Sequence, residues 1–332
     1  MRNSSSPVKA LGLCSGGLDS MLAAFVLKRQ QVDVTWISFE TPFFSSQNAK
    51  KASELTGIPL IVQNITSVYL KMLRNPNAGY GRNMNPCTDC HALMFRLAGD
   101  IMQKEGYDFL FSGEVVGQRP MSQKKQSLRY VEKQSGMDGF ILRPLSAKLL
   151  PESIPEKDGR VNRDLLLDIS GRSRKPQINL ARVFGISEYP APAGGCLLTD
   201  KGYSGRLKDL FDHQDDIHES DLFLLKYGRH IRLSDRVKVI VGRDQIENKK
   251  MASLMDKNRQ ILICPQSFAG PRVILQRGAS DNDIRQAASI CVGYSKMPFG
   301  ERGEVIVTTH DTSSVLSISG TDPETLASLM VY

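Results

Sequence analysis

Apolar runs alternate with amphipathic stretches along the first third of the chain. Val8 to Cys14 is apolar and leads through Ser15-Gly16-Gly17-Leu18-Asp19-Ser20 into a helix-like pattern from Met21 to Gln30. Val32 to Phe39, rich in β-branched and aromatic residues, predicts a second strand, with a loop from Glu40 to Ser46 at its carboxyl end. Lys50 to Thr56 predicts a helix closed by Gly57, and Leu60 to Val62 a short strand after Pro59. This β-α-β-α-β order predicts a parallel sheet covered on both faces, with ligands bound beyond the carboxyl ends of its strands.

Tyr69 to Asn85, broken by Asn-Pro and glycines, predicts mostly loop. It delivers Cys87 and Cys90 to a helix whose apolar positions Leu93, Met94, Leu97, Ala98, Ile101 and Met102 recur at helical spacing. Phe109 to Phe111 predicts another strand, followed by Ser112-Gly113-Glu114-Val115-Val116-Gly117-Gln118. Beyond Ile141-Leu142-Arg143-Pro144-Leu145 lies a basic, helical region from Asn162 to Gly185. Proline and glycine from Pro190 to Gly195 mark a boundary, and Asp200 to Tyr227 is polar with some helical pattern.

A strand that ends in a glycine turn opening a helix makes an anion site. Glycines let backbone N–H groups approach an oxyanion, and the helix dipole favours negative charge. The kinase-type loop GxxxxGK[ST] is excluded, because no lysine precedes the final hydroxyl of this turn. The bland alternative is a serine-glycine turn between strand and helix.

SGGLDS resembles the PP-loop of the ATP-pyrophosphatase family, whose members cleave ATP between the α- and β-phosphates to adenylate a substrate oxygen. The segment SGE-x-x-GQ, the later Ser122-Gln123 and Arg143-Pro144-Leu145 resemble the tRNA 4-thiouridine synthases, and NPCxxC also resembles the 2-thiouridine synthases. In the commonest 2-thiouridine synthases an Asp stands where Cys87 stands here. These motifs cover about residues 8 to 200. Beyond them Val237 to Asp244, Glu247-Asn248, Ile261 to Cys264, Gly270 to Leu275, Ala287-Ala288 and Tyr294-Ser295 resemble the NFACT-R domain, which is associated with RNA and ribosome binding. That family's tryptophan and histidine are missing between Arg259 and Pro265.

The resemblance implies an α/β, doubly wound parallel sheet of PP-loop (HUP-like) type over residues 1–195. A connecting segment over 196–231 and a smaller α+β, NFACT-R-like RNA-binding domain over 232–332 would follow. It implies an ATP-dependent tRNA sulfurtransferase with Mg2+ as cofactor, tRNA and a sulfide or persulfide donor as partners, and a homodimer as one possible assembly. Cys14, Ser15, Gly16, Gly17, Asp19, Ser20, Gly113 and Glu114 would hold the nucleotide. Asp19 would position magnesium or cap the helix, and a plain loop carboxylate is the other reading of Glu114.

Sulfur delivery needs thiolate or sulfide chemistry, and a helix start favours thiolate at Cys87 and Cys90. With the glycine-flanked Cys196 they resemble the cluster-binding thiouridine synthases, in which three cysteines hold a [4Fe-4S] cluster and leave one iron open. Cys90 and Cys196 would then be catalytic. A zinc site with His91 as fourth ligand and a CxxC redox pair are the competing readings. Cys14, Cys264 and Cys291 lie in apolar surroundings and read as packed thiols, Cys14 also bordering the nucleotide loop.

Composition adds two points. With 41% hydrophobic residues in 332, the chain can bury two cores. Its net charge is +8, and 14 Lys or Arg against 7 Asp or Glu between Arg119 and Arg182 account for nearly all of it. A polyanionic partner is expected there, with Lys124, Lys125, Arg129, Arg160, Arg163, Arg172, Arg174 and Lys175 as phosphate contacts. The short polar start, with no signal-like apolar run, and the lack of a membrane span lead to the expectation of a cytoplasmic protein.

Overall fold

The first strand, β1 (Lys9–Leu13), is the centre of a five-stranded parallel sheet. It pairs with β2 (Asp33–Glu40) through Ala10↔Val34 on one side and with β4 (Phe109–Ser112) through Ala10↔Phe109 on the other. Outside them lie β3 (Leu60–Asn64) and the short β5 (Ile141–Leu142), which gives the order β3-β2-β1-β4-β5. Chain order reverses between β1 and β4, the point at which open α/β sheets bind their ligands. The structure, a computed structural model, describes residues 7–119, 121–189, 195–298, 300–310 and 312–332.

Helices cover the sheet because its strands are apolar on both faces. Helix α1 (Leu18–Lys28) buries Leu18, Met21, Leu22, Ala23, Ala24, Val26 and Leu27 in a core that includes Trp36, Phe109 and Phe111. Each such fully buried large side chain contributes roughly 1.5–3 kcal/mol. Helix α2 (Gln47–Thr56) ends at Gly57, and α3 (Thr66–Arg74) buries Tyr69 and Leu73. The expected loop from Tyr69 is therefore helical as far as Arg74. Helix α4 (Cys87–Glu105) starts at the NPCxxC segment and buries Leu93, Ala98 and Met102, three of its predicted inward positions.

After β4 come α5 (Lys125–Ser135), the short α6 (Ile154–Lys157) and α7 (Lys175–Val183). The basic region predicted to be helical from Asn162 is a 3-10 turn at Arg163–Leu165 followed by bends, and a helix only from Lys175.

The chain divides into two compact units, Met1–Cys196 and Leu197–Tyr332. Pro190 to Gly194 of the predicted boundary lies outside the described residues. The second unit contains α8 (Lys201–His213), α9 (Glu219–Leu224), β6 (Arg229–Arg232), β7 (Lys238–Val241), α10 (Gln245–Leu254), β8 (Gln260–Pro265) and β9 (Val273–Gln276). It ends in α11 (Asp281–Gly293), β10 (Arg302–Thr308), β11 (Ser313–Ser319) and β12 (Met330–Val331). Its seven strands pair antiparallel in the order β11-β10-β8-β9-β7-β6-β12.

Strand periodicity explains why this sheet is buried on both faces. Val239 and Val241 of β7 and Val273 and Leu275 of β9 join a core with Ala287, Ala288 and Ile290 of α11. The alternate residues Ile240 and Ile274 pack instead with Leu224 of α9 and Met251 of α10.

Candidate active site

The glycine turn stands at the carboxyl end of β1, at the switch point of the sheet. Gly16 has φ +73°, and a Cβ there would lie 2.1 Å from the backbone of Asn48 at the start of α2. Only glycine fits both the dihedral and the space. Gly17 is the N-cap of α1 and has no side chain to cap it; Ser20 N–H turns back to Gly17 O at 3.1 Å, which leaves the N–H groups of Leu18 and Asp19 as those a ligand could meet. The loop's internal bonds are weak ones: Gly16 N–H donates to a thiol sulfur, Cys14 Sγ, at 3.3 Å, and Ser15 N–H to Ser20 Oγ at a long 3.4 Å. A charged phosphate oxygen is the stronger acceptor and would displace them. Burial pushes the Cys14 thiol up to about 12, so it serves the loop as a neutral, packed acceptor.

Asp19 lies in the first turn of α1 and caps nothing by its side chain. Its Oδ2 accepts from Gln118 Nε2 at 2.9 Å, while Oδ1 is buried without a hydrogen-bond partner among the described residues. An open carboxylate oxygen beside a phosphate-type turn suits a hydrated cation.

Gly113 and Glu114, at the end of β4, face two different parts of the site. A Cβ on Gly113 would lie 2.4 Å from the Asp19 carbonyl carbon, so β4 presses against the first turn of α1. Glu114, 6% exposed, accepts from Ser112 Oγ at 3.0 Å and from Arg143 Nε at 3.0 Å, and its Oε1 lies 2.8 Å from His91 Nδ1. Burial would raise this carboxyl, but the Arg143 guanidinium and the bond to His91 outweigh it and hold it at about 2. Arg143, itself 2% exposed, also binds Glu132. Glu114 is thus fixed by side chains of its own unit, and it fixes His91 next to Cys90.

Cys87 and Cys90 open α4, where Asn85 Nδ2 donates to Cys87 Sγ at 3.2 Å. The Tyr69 hydroxyl of α3 hydrogen-bonds with the Cys90 thiol, and Cys90, Cys196 and Cys87 all act electrostatically on that phenol. Of the three predicted cysteines, Cys90 is the one that bonds to Tyr69, while Cys87 and Cys196 act on it through their charge. Cys90 keeps part of its surface exposed, yet desolvation of its sulfur pushes the thiol above its ordinary value, against the lowering by Tyr69. The thiolate expected there from the helix start is overridden by burial. Among the described residues no three His, Cys, Asp or Glu side chains form a group that could hold a metal ion. Three soft thiols match an iron-sulfur cluster by donor type alone, since this structure does not gather them into one ligand set. Of the other cysteines, Cys291 is fully buried, and burial pushes its thiol up to about 12.

The predicted basic contacts divide into two sets. Arg129 is bound to Asp138 and Glu132, Arg160 to Asp108 and Asp158, and Arg163 to Glu156. Lys124, Lys125, Arg172 and Lys175 are exposed, and Arg174 is half-buried with its Nε unpartnered among the described residues.

Sequence reasoning missed the roles of Tyr69, Arg143, Gln118 and Gln177. Gln118 and Arg143 fall inside motifs that were read only by resemblance. Tyr69 was hidden in a stretch read as loop, and nothing local marks Gln177, whose Nε2 donates to Gln118 Oε1 at 3.4 Å.

Residues 5–149 match the family model described as "Thiamine biosynthesis protein (ThiI)", and residues 228–329 match "NFACT protein RNA binding domain". The chain is 25% identical over 222 residues to "tRNA-specific 2-thiouridylase MnmA 2" of Thermoanaerobacter sp. (strain X514), covering 60% of this chain and 57% of that protein. It is 30% identical over 146 residues to "Probable tRNA sulfurtransferase" of Limosilactobacillus fermentum, covering 41% of this chain and 34% of that one. A solved structure titled "Crystal structure of a 4-thiouridine synthetase - RNA complex with bound ATP" is similar at 18% identity and a TM-score of 0.40, over 58% of this chain and 46% of that one. The chain therefore spans little more than half of the first relative and about a third of the second. Among its described residues no helix is long and apolar enough to cross a membrane. The chain thus joins a segment similar to the ThiI model, residues 5–149, to a segment similar to the NFACT RNA-binding model, residues 228–329.

Proposed function

We propose that this protein is an ATP-dependent tRNA sulfurtransferase that adenylates a uridine carbonyl oxygen and replaces it with sulfur. The observation that carries this reading is the end of β4. Its consecutive residues Gly113 and Glu114 join the two chemistries, one packed against Asp19 of the glycine loop and the other bonded to His91 beside Cys90. The glycine loop and the helix start that carries Cys87 and Cys90 thus both meet one strand end, which supports this reading.

In this reading the N–H groups of Gly16 and Gly17, the hydroxyls of Ser15 and Ser20 and the dipole of α1 hold the ATP phosphates. Asp19 would hold Mg2+, which when bound would neutralise charge on the leaving pyrophosphate. The uridine oxygen attacks the α-phosphorus and pyrophosphate departs. A sulfur nucleophile then attacks the activated carbon, and AMP leaves with the former uridine oxygen. Cys87, Cys90 and Cys196 are the residues that would hold a [4Fe-4S] cluster, whose open iron would supply the sulfide. Lys124, Lys125, Arg172, Arg174 and Lys175 bind tRNA phosphates together with the NFACT-type segment, and a cytoplasmic location belongs with this reading.

The test is pyrophosphate release from Mg-ATP, with and without bulk tRNA. Stimulation by tRNA is the expected result. Release driven by a small molecule instead would reassign the acceptor, and no release would leave an RNA-binding protein with a nucleotide sensor.

A further inference from the structure

Gln177 of α7 is 0% exposed, and it is an amide where an apolar residue would pack without cost. Its position follows from the chain before it. Gly171 N–H donates to Val116 O at 2.8 Å, which ties the approach to α7 against the loop that carries Gln118. Gln177 Nε2 then reaches Gln118 Oε1 at 3.4 Å, and Gln118 Nε2 reaches Asp19 Oδ2 at 2.9 Å.

The direction of this chain is fixed by its end. An ionised carboxylate only accepts, so Gln118 must turn its NH2 to Asp19 and its carbonyl to Gln177. Gln177 in turn must donate. The result is that Asp19 Oδ2 is occupied and Oδ1 alone is presented, buried and unpartnered among the described residues. Such an oxygen is costly unless a cation or ligand donor meets it.

We infer that Gln177, acting through Gln118, is a positioning residue that sets the Asp19 carboxylate so that Oδ1 faces the metal of bound Mg-ATP. The inference rests on the proposed ATP-dependent reading. Loss of a partner that orients a metal-binding carboxylate typically costs 10- to 100-fold in metal affinity. For Gln177, one residue removed from the carboxylate and at the longer distance, the low end of that range is expected.

The experiment titrates Mg2+ against ATP binding to the full chain in the wild type, Gln177→Leu, Gln177→Glu, Gln118→Met and Asp19→Asn. Gln177→Leu should raise the Mg2+ requirement roughly 10-fold. Gln177→Glu, nearly the same shape, should do no better than Leu at a pH high enough to ionise it, because a carboxylate cannot donate and competes for the Gln118 NH2. Packing alone would make Glu the milder change. In the Asp19→Asn background, Gln177→Leu should add no further loss, since the two act on one carboxylate. Should a buried Glu prevent folding, the Leu and Gln118→Met variants carry the same comparison. Unchanged Mg2+ dependence in Gln177→Leu and Gln118→Met, or losses that multiply with Asp19→Asn, would overturn the inference alone. A wild type that binds no Mg-ATP would overturn the functional reading and the inference with it.

Discussion

At the scale of single residues, Glu114 and Asp19 are carboxylates with opposite tasks. Glu114 is fully committed to Arg143, Ser112 and His91, and its carboxyl is held at about 2 against an ordinary 4.5. A depressed carboxyl stabilises the fold above its unfolded value, and that contribution drains as pH falls through about 2. Glu114→Gln should therefore cost about 3 kcal/mol near neutrality, because Arg143 is left buried with less compensation. Its stability should also change less than the wild type's between pH 4.5 and 2, and acid-dependent melting curves that run parallel would contradict this. Asp19 is uncommitted at Oδ1 and buried there at a cost, so Asp19→Asn should not lower the melting temperature. Its AMP formation should fall at least roughly 10-fold, with the loss set by charge. Full AMP formation by a stable Asp19→Asn protein would remove Asp19 from the reaction. Among the thiols, Cys87→Ala, Cys90→Ala and Cys196→Ala should each abolish thiolation and the roughly four iron and four sulfide per chain of an anaerobic preparation, whereas Cys264→Ala should affect neither. Stoichiometric zinc without sulfide would exclude the cluster.

At the scale of elements, the site depends on how closely β4 approaches α1. Gly113→Ala would place a methyl 2.4 Å from the Asp19 carbonyl carbon, where backbone rather than a side-chain tip has to move. The variant should lose about 1–3 kcal/mol of stability and bind ATP more weakly. Wild-type ATP affinity in it would show that the approach is unimportant. Much of this architecture is legible in the sequence. The apolar runs at Val8 to Cys14 and Val32 to Phe39 are buried parallel strands, and the inward spacing from Leu93 to Met102 marks α4, since burial on one or both faces leaves a periodic trace. Helix α3 is not legible, because Asn75-Pro76 and the glycines after it obscure a helix of nine residues whose inward face is only Thr66, Tyr69 and Leu73. The same limit applies at the site. SGGLDS announces a phosphate turn by local geometry, but the Gln177–Gln118 and Arg143–Glu114 pairs join residues 59 and 29 apart, and no local spacing encodes them. Burial also reversed one local rule, since Cys90 is pushed up where the helix start alone would lower it.

At the scale of the whole molecule, the glycine loop with Cys87, Cys90 and Cys196 lies in Met1–Cys196 and the NFACT match in the other unit. Each has its own core, so a chain ending at Cys196 should fold and keep Mg-ATP binding while losing tRNA affinity. Tight tRNA binding by that fragment would assign the second unit another role. With a net charge of +8 and exposed Lys124, Lys125, Arg172 and Lys175, binding of the full chain should weaken steeply with salt. The central claim is tested most directly by nucleoside mass spectrometry of unmodified tRNA after anaerobic incubation with the full chain, Mg-ATP and sulfide. The account predicts a thiouridine, formed with AMP and pyrophosphate and absent when ATP is withheld or Asp19→Asn replaces the wild type. Thiouridine that accumulates equally without ATP, or ATP cleavage in which the tRNA gains no sulfur, would contradict it.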